Sequence, residues 1–256
     1  MKKYVRKILC NENEESIKKL HERDIEIDVG LNKQNINKIV SELKDTLRAN
    51  SNIVALCAKQ LNYDYRIFCM KFANKEIRTF INPMITKREG QHLSRETNPS
   101  IKRDSLNNEL VEYIIPRSDK IIAMYQTPLG MVEENIFEGA ASEVFEQMVA
   151  LLDGILISDY GLEILPGFDK MLKKDQQEVI NMYTKWLEDT SKNINKEIDN
   201  DPEAKKLQKA IEFMTGVAKG EVKLENIDAN KSKEDKNKLN NDITKALAQP
   251  VEQEHA

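Results

Sequence analysis

GAASEVFEQMVALLDG, residues 139–154, is an apolar-periodic segment bounded at both ends by glycine. Ala141, Val144, Phe145, Met148, Leu151 and Leu152 recur at helical spacing, which predicts a helix with one face buried. Gln147 and Leu151, four residues apart, fall on the same side of that helix.

The segments before it read as strands. Residues 110–115, 120–126 and 131–137 are rich in β-branched and aromatic residues, and Thr127-Pro128-Leu129-Gly130 joins the last two as a hairpin. Further back, residues 66–72 and 78–81 read as two more strands around Asn74-Lys75. Ile36, Ile39, Val40, Leu43 and Leu47 mark an amphipathic helix over residues 32–48. The apolar run Ile53-Val54-Ala55-Leu56-Cys57-Ala58 is too short to decide between helix and strand. Residues 87–108 are polar, with Gly90, Pro99 and several serines, and predict a loop. Residues 1–30 are charged and weakly periodic, with an extended piece at 4–9, and residues 155–157 predict a short strand or extended exit. Antiparallel strands around one central helix, an α+β fold, is the expectation.

Composition bounds the possibilities. The 256 residues include 32% charged and only 6% aromatic, with a net charge of −4 and a mean hydropathy of −0.59. A mildly acidic chain makes no general case for binding DNA or other nucleic acid. No apolar run is long enough for a membrane span, and MKKYVRKILC lacks the form of a signal peptide, so a cytoplasmic location is expected. Cys10, Cys57 and Cys69 are odd in number and unevenly spaced, which fits a reducing compartment, with Cys57 and Cys69 as small core residues. His21, His92 and His255 are the only histidines. His21 and His92, isolated in polar surroundings, read as surface side chains needing no partner.

Composition shifts at Leu165-Pro166-Gly167, which sets the expected domains as 1–165, a helical extension at 166–228 and a polar tail at 229–256. Phe168, Leu172, Val179, Tyr183, Trp186, Leu187, Ile194 and Ile198 describe one long amphipathic helix, with the Met182 and Trp186 face read as packing. Leu207, Ile211, Met214 and Val217 describe a second. Leu239, Ile243 and Leu247 suit a short binding helix in the tail.

Residues 139–154 also resemble the metal-binding helix of peptide deformylases, in which H-E-x-x-H-L-x-G follows a glycine. Gly139 and Leu152-Asp153-Gly154 fit that frame, but the H-E-x-x-H slot reads Gln147-Met148-Val149-Ala150-Leu151. Over residues 32–160 other motifs follow in the family's order. Ile53 to Gln60 stands where the family has G-x-G-L-A-A-P-Q. Glu96-Thr97-Asn98-Pro99-Ser100 stands for E-G-C-L-S, and Asn82-Pro83 matches a strand-ending pair. Ile115-Pro116-Arg117 resembles the segment whose arginine binds the peptide backbone.

The resemblance implies a deformylase-like α+β fold with a helical C-terminal extension. It assigns the three metal-ligand slots to Asn98, Gln147 and Leu151 and the general-base slot to Met148. None of these side chains does that chemistry, so no intact catalytic set, no metal and no cofactor are expected. Gln60, which in the family helps hold the reacting carbonyl oxygen, and Arg117 are retained. With Glu143, four residues before Gln147, they are the candidates for binding a peptide. The expected function is binding of a peptide or protein partner by an inactive homologue, with the ribosome or a nascent chain among the partners the resemblance suggests. Two alternatives stand beside it. One is a residual or metal-independent amide hydrolase using Glu143 or Glu146 as base. The other is an interaction module working through the C-terminal helices beside a vestigial cleft.

Overall fold

The computed structural model describes residues 4–104 and 109–200, and it divides the chain into two units at Gln176/Gln177. The second predicted extension helix and the polar tail lie outside the described residues.

In the first unit the central helix forms as its periodicity requires. It spans Ala140–Leu152 and is called α3 in chain order, after α1 at Glu14–His21 and α2 at Lys33–Ala49. Its N-cap is Gly139, at φ +57° and ψ −135°, which is open to glycine and strained for other residues. At the other end Gly154 has φ +80°, and a Cβ there would sit 2.2 Å from the carbonyl oxygen of His21. Leu152-Asp153-Gly154 thus fixes how closely α1 packs under the end of α3.

Two antiparallel sheets surround α3. The larger has the order β1-β2-β3-β6-β7, from Ala55–Cys57, Ile67–Lys71, Ile77–Glu89, Lys120–Gln126 and Val132–Glu138. The smaller has the order β4-β5-β8, from His92–Asp104, Glu109–Arg117 and Leu162–Glu163. Phe68, Phe80, Phe137 and Phe145 meet in one aromatic cluster between the larger sheet and α3, with Phe68 and Phe80 stacked at 4.6 Å between centroids. Met148, Leu151, Ile115 and Ile121 complete that core. A second core lies on the opposite face of the larger sheet, where Ile36, Ile39, Leu43 and Leu47 of α2 cover Leu56, Ile67, Cys69 and Ile81.

The two helices and most strands lie where periodicity placed them. One expectation is corrected and two open ones are decided. Residues 87–108 are not a loop: β3 runs on through a bulge at Asn82-Pro83 to Glu89, and β4 occupies His92–Asp104. From Ser94 to Ser100 the buried positions of β4 are Ser94, Glu96, Asn98 and Ser100, an inside-outside alternation written in polar residues, and apolar Ile101 follows them into the core. Pro99 is tolerated because β4 is an edge strand. Of the two readings for residues 155–157, the extended exit holds for Ile155 and Leu156, and Ile157 begins a helical turn, α4, at Ile157–Tyr160. The undecided run at 53–58 divides into β1 and a 3-10 turn at Ala58–Leu61.

The extension helix, α5, spans Lys173–Asn200. In the second unit the rings of Tyr183 and Trp186 stack, with centroids 6.2 Å apart. Met182 and Trp186, read as a packing face, are exposed. No helix among the described residues is long and apolar enough to cross a membrane.

Candidate functional site

Four of the retained and replaced positions meet beneath one side of α3, and they are bonded to one another. The Gln60 side chain, fully buried at the end of the turn after β1, accepts the Cys57 amide on Oε1 at 3.0 Å. Its Nε2 therefore donates, to Asn98 Oδ1 at 3.2 Å and Ser100 Oγ at 3.0 Å. Asn98 Oδ1 also takes the Ser100 amide at 2.9 Å, which turns Asn98 Nδ2 toward Gln147 Oε1 at 3.2 Å. Gln147 Nε2 then donates to Glu96 Oε2 at 2.6 Å and the Thr97 carbonyl at 3.3 Å. Glu96 closes the chain against Arg117, whose Nε and Nη2 approach its two oxygens at 2.6 and 2.8 Å. Arg117 Nη1 donates to the Tyr160 hydroxyl at 2.9 Å.

Every amide in this relay has its donor and acceptor ends assigned, and each oxygen already faces an N–H. Arg117 and Glu96 are buried, in the paired geometry that makes such a contact strong. Leu151 and Met148 do not join the relay. Both point into the aromatic core and are nearly inaccessible.

A transition-metal site does not fit this donor set. Amide nitrogens cannot ligate, the amide oxygens are neutral and occupied, and Leu151 and Met148 contribute packing. Glu96 is the one carboxylate present, and Arg117 neutralises it.

Gln60, expected to meet a peptide, thus spends both its donors inside the protein, and Arg117, expected to do the same, spends three of its five there. Glu143, the third such candidate, lies apart from them in a second cluster. Its Oε1 faces His92 Nε2 at 3.0 Å and its Oε2 accepts from Ser94 Oγ at 2.7 Å, while His92 Nδ1 faces Asp119 Oδ1 at 2.7 Å. His92 is therefore not an isolated surface side chain. The β4 register that was hidden by polarity carries it to α3. His21 also has partners, with Nδ1 at 2.9 Å from the Ile17 carbonyl and Nε2 at 3.1 Å from Asp159. Glu146 faces elsewhere, accepting from the Ser118 amide and hydroxyl at 2.8 and 2.9 Å and from Arg88 Nε at 2.9 Å.

The hydrogen bonds to Glu143 and Asp119 raise the His92 pKa above its ordinary value near 6.5. A base whose folded pKa is raised adds stability below its unfolded pKa and loses that contribution as pH rises through the folded one. Glu143→Gln is expected to bring the His92 titration, followed by NMR of its ring protons, back toward 6.5. An unmoved titration would mean the carboxylate does not govern it.

Lys59 was missed in the sequence because it sits in a family motif at a proline slot. Its side chain is fully buried, with Nζ donating to the carbonyls of Leu20 at 3.2 Å, of Leu151 at 2.9 Å and of Glu22, and lying 3.7 Å from Asp24 Oδ1. Burial pushes its pKa down. A lysine directly after the apolar run from Ile53 to Ala58 was the available signal.

Two sheets enclosing a helix in this order define a peptide deformylase fold. Residues 5–166 match the polypeptide deformylase family model, and the chain belongs to that family. Among solved structures it is similar to peptide deformylase from Thermotoga maritima, at 24% identity and a TM-score of 0.52, over 63% of this chain and 99% of that one. It is likewise similar to class I type b peptide deformylase from Acinetobacter baumannii with Met-Ala-Ser bound, at 16% identity and a TM-score of 0.53, over 62% and 99% of the respective chains. A search of curated protein sequences gives no match.

Proposed function

We propose that this chain is a peptide deformylase homologue that no longer performs metal-dependent deformylation and that works by binding a peptide or protein partner. The reading is supported above all by the relay from Gln60 through Asn98, Gln147 and Glu96 to Arg117, in which ligand slots have become a hydrogen-bonded wall. In such a wall a formyl carbonyl would find neither a Lewis acid nor a free base. The groups that a metal-independent hydrolase would need are divided among separate bonds, Gln60 to Ser100, Glu143 to His92 and Glu146 to Ser118. A ribosome-linked partner belongs to the same proposal on the family resemblance alone, and a cytoplasmic location on composition alone.

The full chain supplied with iron or nickel under anaerobic conditions is expected to release no formate from a formyl-methionyl peptide above the blank. Chelator-sensitive formate release, abolished by Gln147→Ala, would overturn the reading.

A further inference from the structure

Among the described residues of the first unit, one half of a sheet face is covered and the other half is not. α2 lies over β1 and β2 on the side of the larger sheet away from α3. On that same side β3, β6 and β7 continue the sheet with Met84 paired to Met124, Ile122 to Ile136 and Gln126 to Val132. Their neighbours Ile121, Ala123 and Phe137 point the other way, into the core around α3. The apolar residues opposite them meet solvent, with Met84 55%, Val132 61% and Ile136 57% exposed. Exposed apolar residues gathered on one sheet face are a mark of an interaction site.

A groove of about 730 Å³ runs between this face and the start of α2, lined by Val29, Lys33, Met84, Met124, Leu129 and Val132. Its dimensions suit one kind of occupant. Strands lie ~4.8 Å apart, so β3, β6 and β7 present a strip ~10 Å wide. An α-helix with its side chains is ~10–12 Å across. A helix seated there would continue the layer that α2 begins, and methionines are well suited to such a contact because they repack around an irregular apolar face.

Charge narrows the partner further. Glu26 and Asp28 line one end of the groove, and Glu134 and Glu138 stand exposed on β7. None of these four forms an ion pair among the described residues, while Lys33 is the one basic residue lining the groove and Lys87 and Lys120 are both paired with Glu89. A second copy of this chain would bring like charges together across the contact, while basic flanks would complement them.

We propose that the outer face of β3, β6 and β7 docks an amphipathic helix of a partner protein, with an apolar stripe over Met84, Met124 and Ile136 and lysine or arginine along its borders. This surface lies on the opposite side of the sheet from the former metal slots, so it stands whether or not the chain hydrolyses anything.

The test uses the full chain as bait for a display library of helical peptides of about 16 residues, ~24 Å long, with a fixed leucine stripe and flanks drawn from lysine, glutamate and glutamine. Enriched peptides are expected to carry lysine flanks, to shift the ¹³C-methyl signals of Met84 and Met124 and to leave those of buried Met70 and Met148 in place. Ile136→Glu should weaken them at least about tenfold, and Glu134→Lys, at an exposed position that leaves the fold intact, should reverse the flank preference. Enrichment of acidic or neutral flanks, or equal binding to Ile136→Glu, would overturn the proposal. So would Met84 and Met124 signals that move with protein concentration alone, which would indicate a second copy. Signals that move on Leu239→Lys in the full chain would indicate that this chain's own C-terminal segment occupies the face, and would overturn it equally.

Discussion

Arg117→Ala is expected to destabilise the protein by about 3–5 kcal/mol, because removing one partner of a buried ion pair leaves the other charge uncompensated. Glu96 would keep the Gln147 amide but lose both guanidinium contacts in a position almost closed to water. The Tyr160 hydroxyl would lose the hydrogen bond from Arg117 as well. Since whole domains are stable by only about 5–15 kcal/mol, the loss should be plain in urea unfolding followed by circular dichroism. The double replacement Glu96→Gln with Arg117→Met should recover much of it, since removing both charges removes the imbalance. A cost for Arg117→Ala below about 1 kcal/mol, the range of a surface pair, would show that this arginine is not an internal strut.

Lys59→Ala is the second large effect, again about 3–5 kcal/mol, because the Leu20 and Glu22 carbonyls lose their Lys59 donor, the Leu151 carbonyl is left with the Gly154 amide, and Asp24 loses its nearest counter-charge. Asp24 adds a pH signature. Burial pushes its carboxyl up to about 7 despite the nearby Lys59, and Oδ2 has no hydrogen-bond partner. An acid with a raised folded pKa holds its proton where the unfolded chain has released it. Its contribution to stability is therefore complete below the unfolded value near 3.8 and is lost as pH rises through about 7. The unfolding free energy of the natural chain minus that of Asp24→Asn should fall between these two pH values and level off above them. A difference that stays flat across that window would mean Asp24 is solvated.

What could be read from residue order alone follows a physical division. α3 and the β6–β7 hairpin were legible because apolar residues repeat at 3.6 or 2 and a proline-glycine turn separates the strands. β4 was not, since its inward positions Ser94, Glu96, Asn98 and Ser100 are all polar, only Ile101 beyond them is apolar, and hydropathy sees a strand only when the buried side is apolar. The same polarity hid the site. Loss of the ligand residues was visible at Asn98, Gln147 and Leu151, but closure of the space they left depends on Glu96 meeting Arg117 across β4 and β5, a pairing of residues 21 apart. The strict period-two spacing of those four polar residues was the overlooked clue. Asn82 was legible as a family match and its use was not: it accepts the Ile27 amide at 3.0 Å and donates to the Ile27 carbonyl at 2.9 Å, a tie from the N-terminal segment to the bulge in β3.

The central claim is that the ligand slots of the family have been converted into a self-satisfied hydrogen-bonded wall with no affinity for a transition metal. Metal analysis of the full chain, purified anaerobically and equilibrated with iron, nickel or zinc before desalting, tests it most directly. Far less than one ion per chain is predicted, with the same value for Asn98→Ala and Gln147→Ala. One tightly held ion per chain, lost on Gln147→Ala or Asn98→Ala, would contradict it.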